Sequence, residues 1–145
     1  MVQRDPSDRR WVQRFENYSR AFVRLREAVE RLEANELDDL QREGLIQRFE
    51  VAWELAWKTL KDFLDYKKVT LDRISPGEVI KTAFACNYIK DGQDWMDALD
   101  ARNLMSHVYR QQAFEQTLID VERRFVPCLE ALHELLISER AALDD

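Results

Sequence analysis

Trp11, Phe15, Tyr18, Phe22, Leu25, Val29 and Leu32 follow one another at alternating spacings of four and three residues. That repeat lines one face of an α-helix with apolar side chains. It predicts a first helix from about Ser7 to Ala34, with Asp5-Pro6-Ser7 as its start signal. The opposite face, with Arg9, Arg10, Arg20, Arg24, Glu27, Glu30 and Arg31, is expected to meet solvent. Asn35 to Asp39 reads as a short polar connection. A second helix is predicted over roughly Asp38 to Lys67, with Gly44 an early weak point. In it Phe49, Ala52, Ala56 and Phe63 make one apolar stripe, and Ile46, Trp53, Trp57, Leu60 and Leu64 make another beside it. So wide a face exceeds what a two-layer contact needs. The helix is expected either at the centre of a bundle or against a second subunit.

After a loop through Thr70 to Ile74 the chain reads "SPGEVI". Ser75 as N-cap, Pro76 at the first helical position and Glu78 three after the cap form a capping box, so a short third helix is predicted, ending near Asn87. Lys90 to Asp94 reads as a turn, and a fourth helix starts near Gln93. A last long helix spans about Gln111 to Ala142, with Phe114, Leu118, Val121, Phe125, Cys128, Leu132 and Leu135 as its seam. Pro127 lies inside it and is expected to kink it, because proline removes a backbone donor. The expected fold is all-α, an up-and-down four-helix bundle with one additional short helix. Residues 1–145 are read as one such domain, with 1–6 and 143–145 frayed.

Composition narrows the range of functions. The chain has 145 residues, 46% of them hydrophobic and 34% charged, which suits a globular protein with a sizeable core. Three glycines and three prolines leave little punctuation for strands and turns. A net charge of −6 argues against broad, field-driven nucleic-acid binding, so any such contact needs a local site or an oligomer that concentrates arginines. Cys86 and Cys128 lack the spacing of a zinc site or a disulfide framework. With no signal peptide and no long apolar run, a cytoplasmic chain without a membrane span is expected.

The stretch "ARNLMSHVYR", residues 101 to 110, concentrates the polar chemistry. It holds Arg102, Asn103, Ser106, His107 and Tyr109 in a chain with two histidines. On an ideal helix Arg102 and His107, five apart, diverge by roughly 140°. Asn103 with His107, and Arg102 with Ser106, share a face. Bringing Arg102 and His107 to one ligand therefore asks the helix to loosen or end near Ser106, and Val108 with the polar run Arg110-Gln111-Gln112 is compatible with an end there. Arginine offers a permanently charged, bidentate fork for a phosphodiester oxygen. Histidine titrates near neutral pH and can move a proton to or from a hydroxyl. RNA cleavage by its own 2′-hydroxyl needs a charge clamp and proton shuttles, and no metal or cofactor. One such histidine per chain supplies one shuttle; a two-fold homodimer with the motif near its axis supplies two. The competing reading of the same residues is a solvated or core-satisfied cluster.

Arg-x4-His-x-Tyr, as "RNLMSHVY", resembles the signature of the HEPN superfamily of helical proteins. "GLIQRFEVAWELAWKTLKDFL", Gly44 to Leu64, resembles the matching helix of its nucleotidyltransferase substrate-binding branch. "SPGEVIKTAF" and "DGQDWMDALDARNLMSH" fit the same branch, over about residues 10 to 135. The resemblance implies a homodimeric helical bundle that acts as a metal-independent endoribonuclease toxin on RNA. A partner minimal nucleotidyltransferase antitoxin would silence it by adenylylating the motif tyrosine. By position, Arg102 and His107 would be catalytic, Asn103 and Ser106 supporting, and Tyr109 the modification site. An older reading of the family makes the subunit a non-catalytic substrate- or nucleotide-binding partner of the transferase.

Asp91, Asp94, Asp97 and Asp100 recur every third residue, but one helix face cannot wrap an ion. No metal site is assigned; a solvated face or a surface for a basic partner is the better reading. Glu54 and Lys58 form an i,i+4 pair. If the second helix is as buried as its width suggests, Glu50 or Glu54 must find a cation, for which Arg102 is the candidate, and either would then steady it. His133 reads as structural, and Trp53 and Trp57 as core or dimer interface.

Overall fold

The computed structural model describes residues 6–107 and 111–143, without the side chains of Ser7, Ser106 and His107. It is an all-α bundle. α1 (Pro6–Glu33) and α2 (Asp39–Tyr66) pack along their lengths. The short α3 (Pro76–Ala85) leads to α4 (Gly92–His107). The chain closes with α5 (Gln111–Asp120), a π-helical segment (Val121–Phe125) and α6 (Val126–Leu143). The four long members are α1, α2, α4 and the α5–π–α6 run, with α3 as the additional short helix.

The α1 seam is buried from Trp11 to Val29, and Leu32 lies half-buried at its edge. α2 is the central helix. Both of its stripes are buried except at Trp57, which is half-buried, and it contacts α1, α3 and α5. Its start is fixed by a capping box: the Asp38 carboxylate accepts from the Gln41 backbone N–H (2.8 Å), and the Gln41 side chain accepts from the Asp38 N–H (2.9 Å). At α3 the Ser75 hydroxyl accepts from the Glu78 N–H at 3.3 Å, but the returning bond from Glu78 is not made, so this cap is half of the expected box. α3 stops two residues earlier than expected, with Asn87 in the left-handed region (φ 63°) that ends helices. The Asp5 part of the α1 start signal lies outside the described residues.

The last long helix departs from the expected continuous α-helix with a kink at Pro127. Pro127 has no N–H to give the carbonyl four residues back, and the helix widens just upstream. The Val126 N–H reaches back five residues, to Val121 O. The extra residue advances the seam by one position: Phe125 and Val126 are both buried, and Leu136 is fully buried where Leu135 was expected. Across the interface the Tyr18 hydroxyl donates to Leu129 O at 2.6 Å, tying α1 to α6. His133 is structural here: its Nε2 lies 2.8 Å from the Ser19 hydroxyl, and its ring packs on Phe15 and Phe22.

Candidate functional site

α4 is anchored by Trp95 and Ala98, both buried, with Met96, Leu99, Ala101 and Met105 packed at the margin. Its first residue, Gly92, lies under the Phe84 ring, where an added Cβ would come within 3.0 Å of Cδ2. The far side of α4 is held by Arg124 of the π segment. Its Nε and Nη2 donate to Asp94 at 2.9 and 2.8 Å, Nη2 also binds Asp97, and Nη1 lies 3.8 Å from Asp120. Two of the four periodic aspartates, expected on a solvated face, are therefore taken up in a cross-tie between helices. Asp97 also accepts from Gln93 at 2.9 Å, and its carboxyl is held below the usual range by the Arg124 and Gln93 hydrogen bonds.

This frame carries Arg102 onto the surface of α2. The Arg102 guanidinium is hydrogen-bonded to Glu54, and its Cζ stands 5.7 Å from the Trp53 ring centroid. Both side chains of the ion pair are a little over a quarter exposed. Lys58 joins them, 3.2 Å from the other Glu54 oxygen. Burial pushes the Glu54 pKa up, yet Trp57, Lys58 and Arg102 outweigh it and hold the carboxyl below its ordinary value. Glu50, one turn earlier, goes the other way: burial raises its pKa, and the Arg102 charge only partly offsets this. The Asn103 carboxamide oxygen, exposed, is 3.5 Å from Arg102 Nη1, at the long end of a hydrogen bond.

α4 remains helical through His107, so residues 102 and 107 stand on one helix without an end at Ser106. The side chains of Ser106 and His107, and all of Val108, Tyr109 and Arg110, lie outside the described residues. Of the sequence-derived residues the structure thus joins Arg102, Asn103 and Glu54 directly, with Glu50 close enough to feel the same charge.

Asp91, Asp94 and Cys128 bring two carboxylate oxygens and a sulfur within 4.8 Å of one another. Asp94 is already bound by Arg124. The Cys128 thiol is pushed up to about 12 by burial and by the negative charges of Asp94 and Asp91, so it holds its proton. Such a trio is a poor ligand set. In sequence Cys128 reads only as a seam residue, so this convergence is not visible there.

An all-α bundle with an arginine presented near the end of one helix and held by a neighbouring helix's carboxylate defines a class before it defines a member. Residues 13–138 match the family described as nucleotidyltransferase substrate binding protein like. The chain belongs to that family, the HEPN branch its sequence resembles. It is similar to a protein of Haemophilus influenzae named "Probable ribonuclease HepT", 32% identical over 72 residues, which are 48% of this chain and 49% of that one. The match thus spans about half of the relative. A crystal structure of a protein from Thermus thermophilus has the same fold, with a TM-score of 0.65 and 25% identity, covering 85% of this chain and 98% of that one.

Proposed function

We propose that this protein is a metal-independent endoribonuclease toxin that acts as a homodimer, with Arg102 and His107 as its catalytic pair. The observation that carries the reading is Arg102 itself, a charge oriented at the surface by Glu54 and Trp53 on the helix that also bears His107. The relative's name, ribonuclease, agrees with it. In the proposed reaction the guanidinium grips a non-bridging phosphate oxygen. One imidazole takes the proton of the 2′-hydroxyl as its oxygen attacks phosphorus. The bond from phosphorus to the 5′-oxygen breaks, and the second protomer's imidazole returns a proton to that oxygen. The products are a 2′,3′-cyclic phosphate and a 5′-hydroxyl. Ser106 and Asn103 would support the pair.

In the same reading a minimal nucleotidyltransferase is the antitoxin. On that enzyme the Tyr109 hydroxyl attacks the α-phosphorus of ATP, which leaves adenylyl on the phenol and releases pyrophosphate. A phosphodiester anchored two residues from His107 would occupy the Arg102 clamp and repel the RNA backbone. The test is cleavage of RNA by the purified chain in EDTA, with His107→Ala and Arg102→Ala beside it. Cleavage lost in both variants, with unchanged circular dichroism, supports the reading. Cleavage that survives His107→Ala overturns it.

The second reading, a non-catalytic substrate-binding partner of the transferase, is favoured by the family description. It requires stable association with the transferase and no RNA cleavage by the isolated chain.

A further inference from the structure

Most of the arginines that tie the bundle together are matched by carboxylates: Arg14 by Asp62, Arg26 by Glu130, Arg42 by Glu115, Arg102 by Glu54 and Arg124 by Asp94. One group departs from this pattern. A groove of about 540 Å³ between α1 and α2 is lined by Arg20, Arg24, Arg48 and Gln47 over a floor of Ala21, Gly44 and Val51. No carboxylate lines it, and none of its three guanidiniums is paired with one among the described residues. Arg20 donates to Asn17, and Arg48 donates to Arg24 O at 2.8 Å, leaving both full positive charges in the groove. Arg20 and Arg24 stand one turn apart on α1. In a chain of net charge −6, three arginines in one cleft with no paired carboxylate among the described residues need a reason.

The groove also has a direction. Gln47 and Glu54 are seven residues apart on α2, a turn of about 700° that returns them to within about 20° of one face, with a rise of roughly 10.5 Å. The basic lining therefore runs along α2 toward the Glu54 that holds Arg102. Val51, 54% exposed, lies between them and adds apolar surface of the kind a ribose or base covers.

We propose that this groove is a backbone track for single-stranded RNA, in which Arg20, Arg24 and Arg48 bind successive phosphodiesters of the strand whose scissile phosphate sits at Arg102. The proposal rests on the ribonuclease reading, and it explains how an acidic protein holds a polyanion: the favourable charge is local, in a groove that no carboxylate lines. The phosphates supply attraction without sequence choice, as backbone contacts do. Gln47 lines the groove beside Arg48, where it is placed to donate to a ribose or phosphate oxygen of the same strand.

The test uses the full chain carrying His107→Ala, so that bound RNA survives, and a 5′-fluorescein oligouridylate of about 16 nucleotides. Fluorescence anisotropy is read over a range of salt. Arg20→Gln and Arg24→Gln should each weaken binding about 3- to 10-fold at low salt and lower the slope of log affinity against log salt by about 0.7, the value for one lost single-strand phosphate contact. Arg9→Gln, a charge change elsewhere on α1, should leave both unchanged. Gly44→Glu places a carboxylate in the groove, where its Cβ meets nothing within 4 Å, and should weaken binding more than about tenfold without lowering Tm.

Affinity and salt slope that do not move in the groove variants overturn the track. If the His107-bearing chain still cleaves RNA in that case, the ribonuclease reading stands without it. Groove-dependent binding by a chain that never cleaves supports the track and removes the nuclease. Binding of a polyglutamate peptide that depends on Arg20 and Arg24, with no dependence for RNA, overturns the track in favour of an acidic protein partner.

Discussion

Arg102 and Glu54 meet across 48 residues of sequence, one from the C-terminal half of α4 and one from the middle of α2. The pair joins the outer helix that carries the motif to the central helix of the bundle. It also sets Glu54 apart from Glu50, which lies one turn earlier on the same helix and whose carboxyl is shifted the opposite way.

The two glutamates should respond to amidation in opposite directions. The folded pKa of Glu54 is depressed, so its carboxylate stabilises the fold above the ordinary value of 4.5, and this is lost as pH falls through the folded value. The folded pKa of Glu50 is raised, so ionising it costs stability as pH climbs past 4.5 and through the folded value. At pH 7 Glu54→Gln should lower stability by roughly 0.5–1 kcal/mol, and Glu50→Gln should leave it unchanged or raise it by a few tenths. Urea titrations at pH 7 and at pH 4 check this; both differences should shrink at the lower pH. Equal destabilisation by the two changes at pH 7 would refute the assignment.

How much of this is legible in sequence depends on the range of the interaction. The width of the apolar face on α2 already implies a half-buried carboxylate in need of a cation, with Glu50 or Glu54 as the carboxylate and Arg102 as the candidate cation; the structure gives Glu54 as the partner. The seams of α1 and α2 are legible because each is a repeat within one helix. The Arg124 tie to Asp94 and Asp97 is not, since it depends on how the π segment rotates the last helix against α4. Pro127 signals an irregularity, but not that its form is an inserted residue that moves the seam to Leu136. Likewise Arg20 and Arg24 read as a solvated face, because their isolation from carboxylates is a property of the neighbouring helix.

Gly44 sits inside α2 with a negative φ and nothing within 4 Å of where a Cβ would stand. Glycine there loses backbone entropy on folding with no gain in packing. Gly44→Ala should stabilise the protein by about 0.5–1 kcal/mol. Chemical denaturation should show a higher midpoint at an unchanged m-value.

The thiols should separate cleanly. Cys86 caps α3 and is exposed, whereas Cys128 is buried with its pKa pushed up to about 12. Titration of the native protein with a disulfide reagent at a pH of about 8 should therefore release one equivalent quickly and the second only on unfolding, because the thiolate is the reactive form. Cys86→Ser should abolish the fast phase. Two fast equivalents would mean that α6 exposes Cys128.

His133 gives the fold a pH dependence of its own. Burial, aided by the charge of Arg26, lowers its pKa, although Glu130 and Glu134 pull the other way. The fold thus prefers the neutral ring, and its contribution is complete above the unfolded value of about 6.5. It declines as pH drops from there to the folded value, below which both states are protonated. In His133→Gln the fall in Tm between pH 7 and pH 5 should be shallower than in the parent. A parallel pair of curves would mean that another group drives that slope.

Arg124 is the side chain whose loss should be felt furthest from itself. Two carboxylates of α4 converge on it, and it issues from the one segment of the last helix that is not α-helical. Arg124→Met keeps most of the apolar stem over the Phe125 ring but leaves Asp94 and Asp97 facing each other without that cation. The groups are about a third exposed, so the cost is that of a screened network, about 1–2 kcal/mol. Adding Asp94→Asn should recover part of it, since the remaining carboxylate then has less to repel. α4 also carries the motif, so loosening its first turns should reduce RNA cleavage more than RNA binding, if the ribonuclease reading holds. Denaturation of the single and double variants tests the network, and cleavage against anisotropy tests its reach. Full stability in Arg124→Met would mean that Trp95 and Ala98 alone fix the helix.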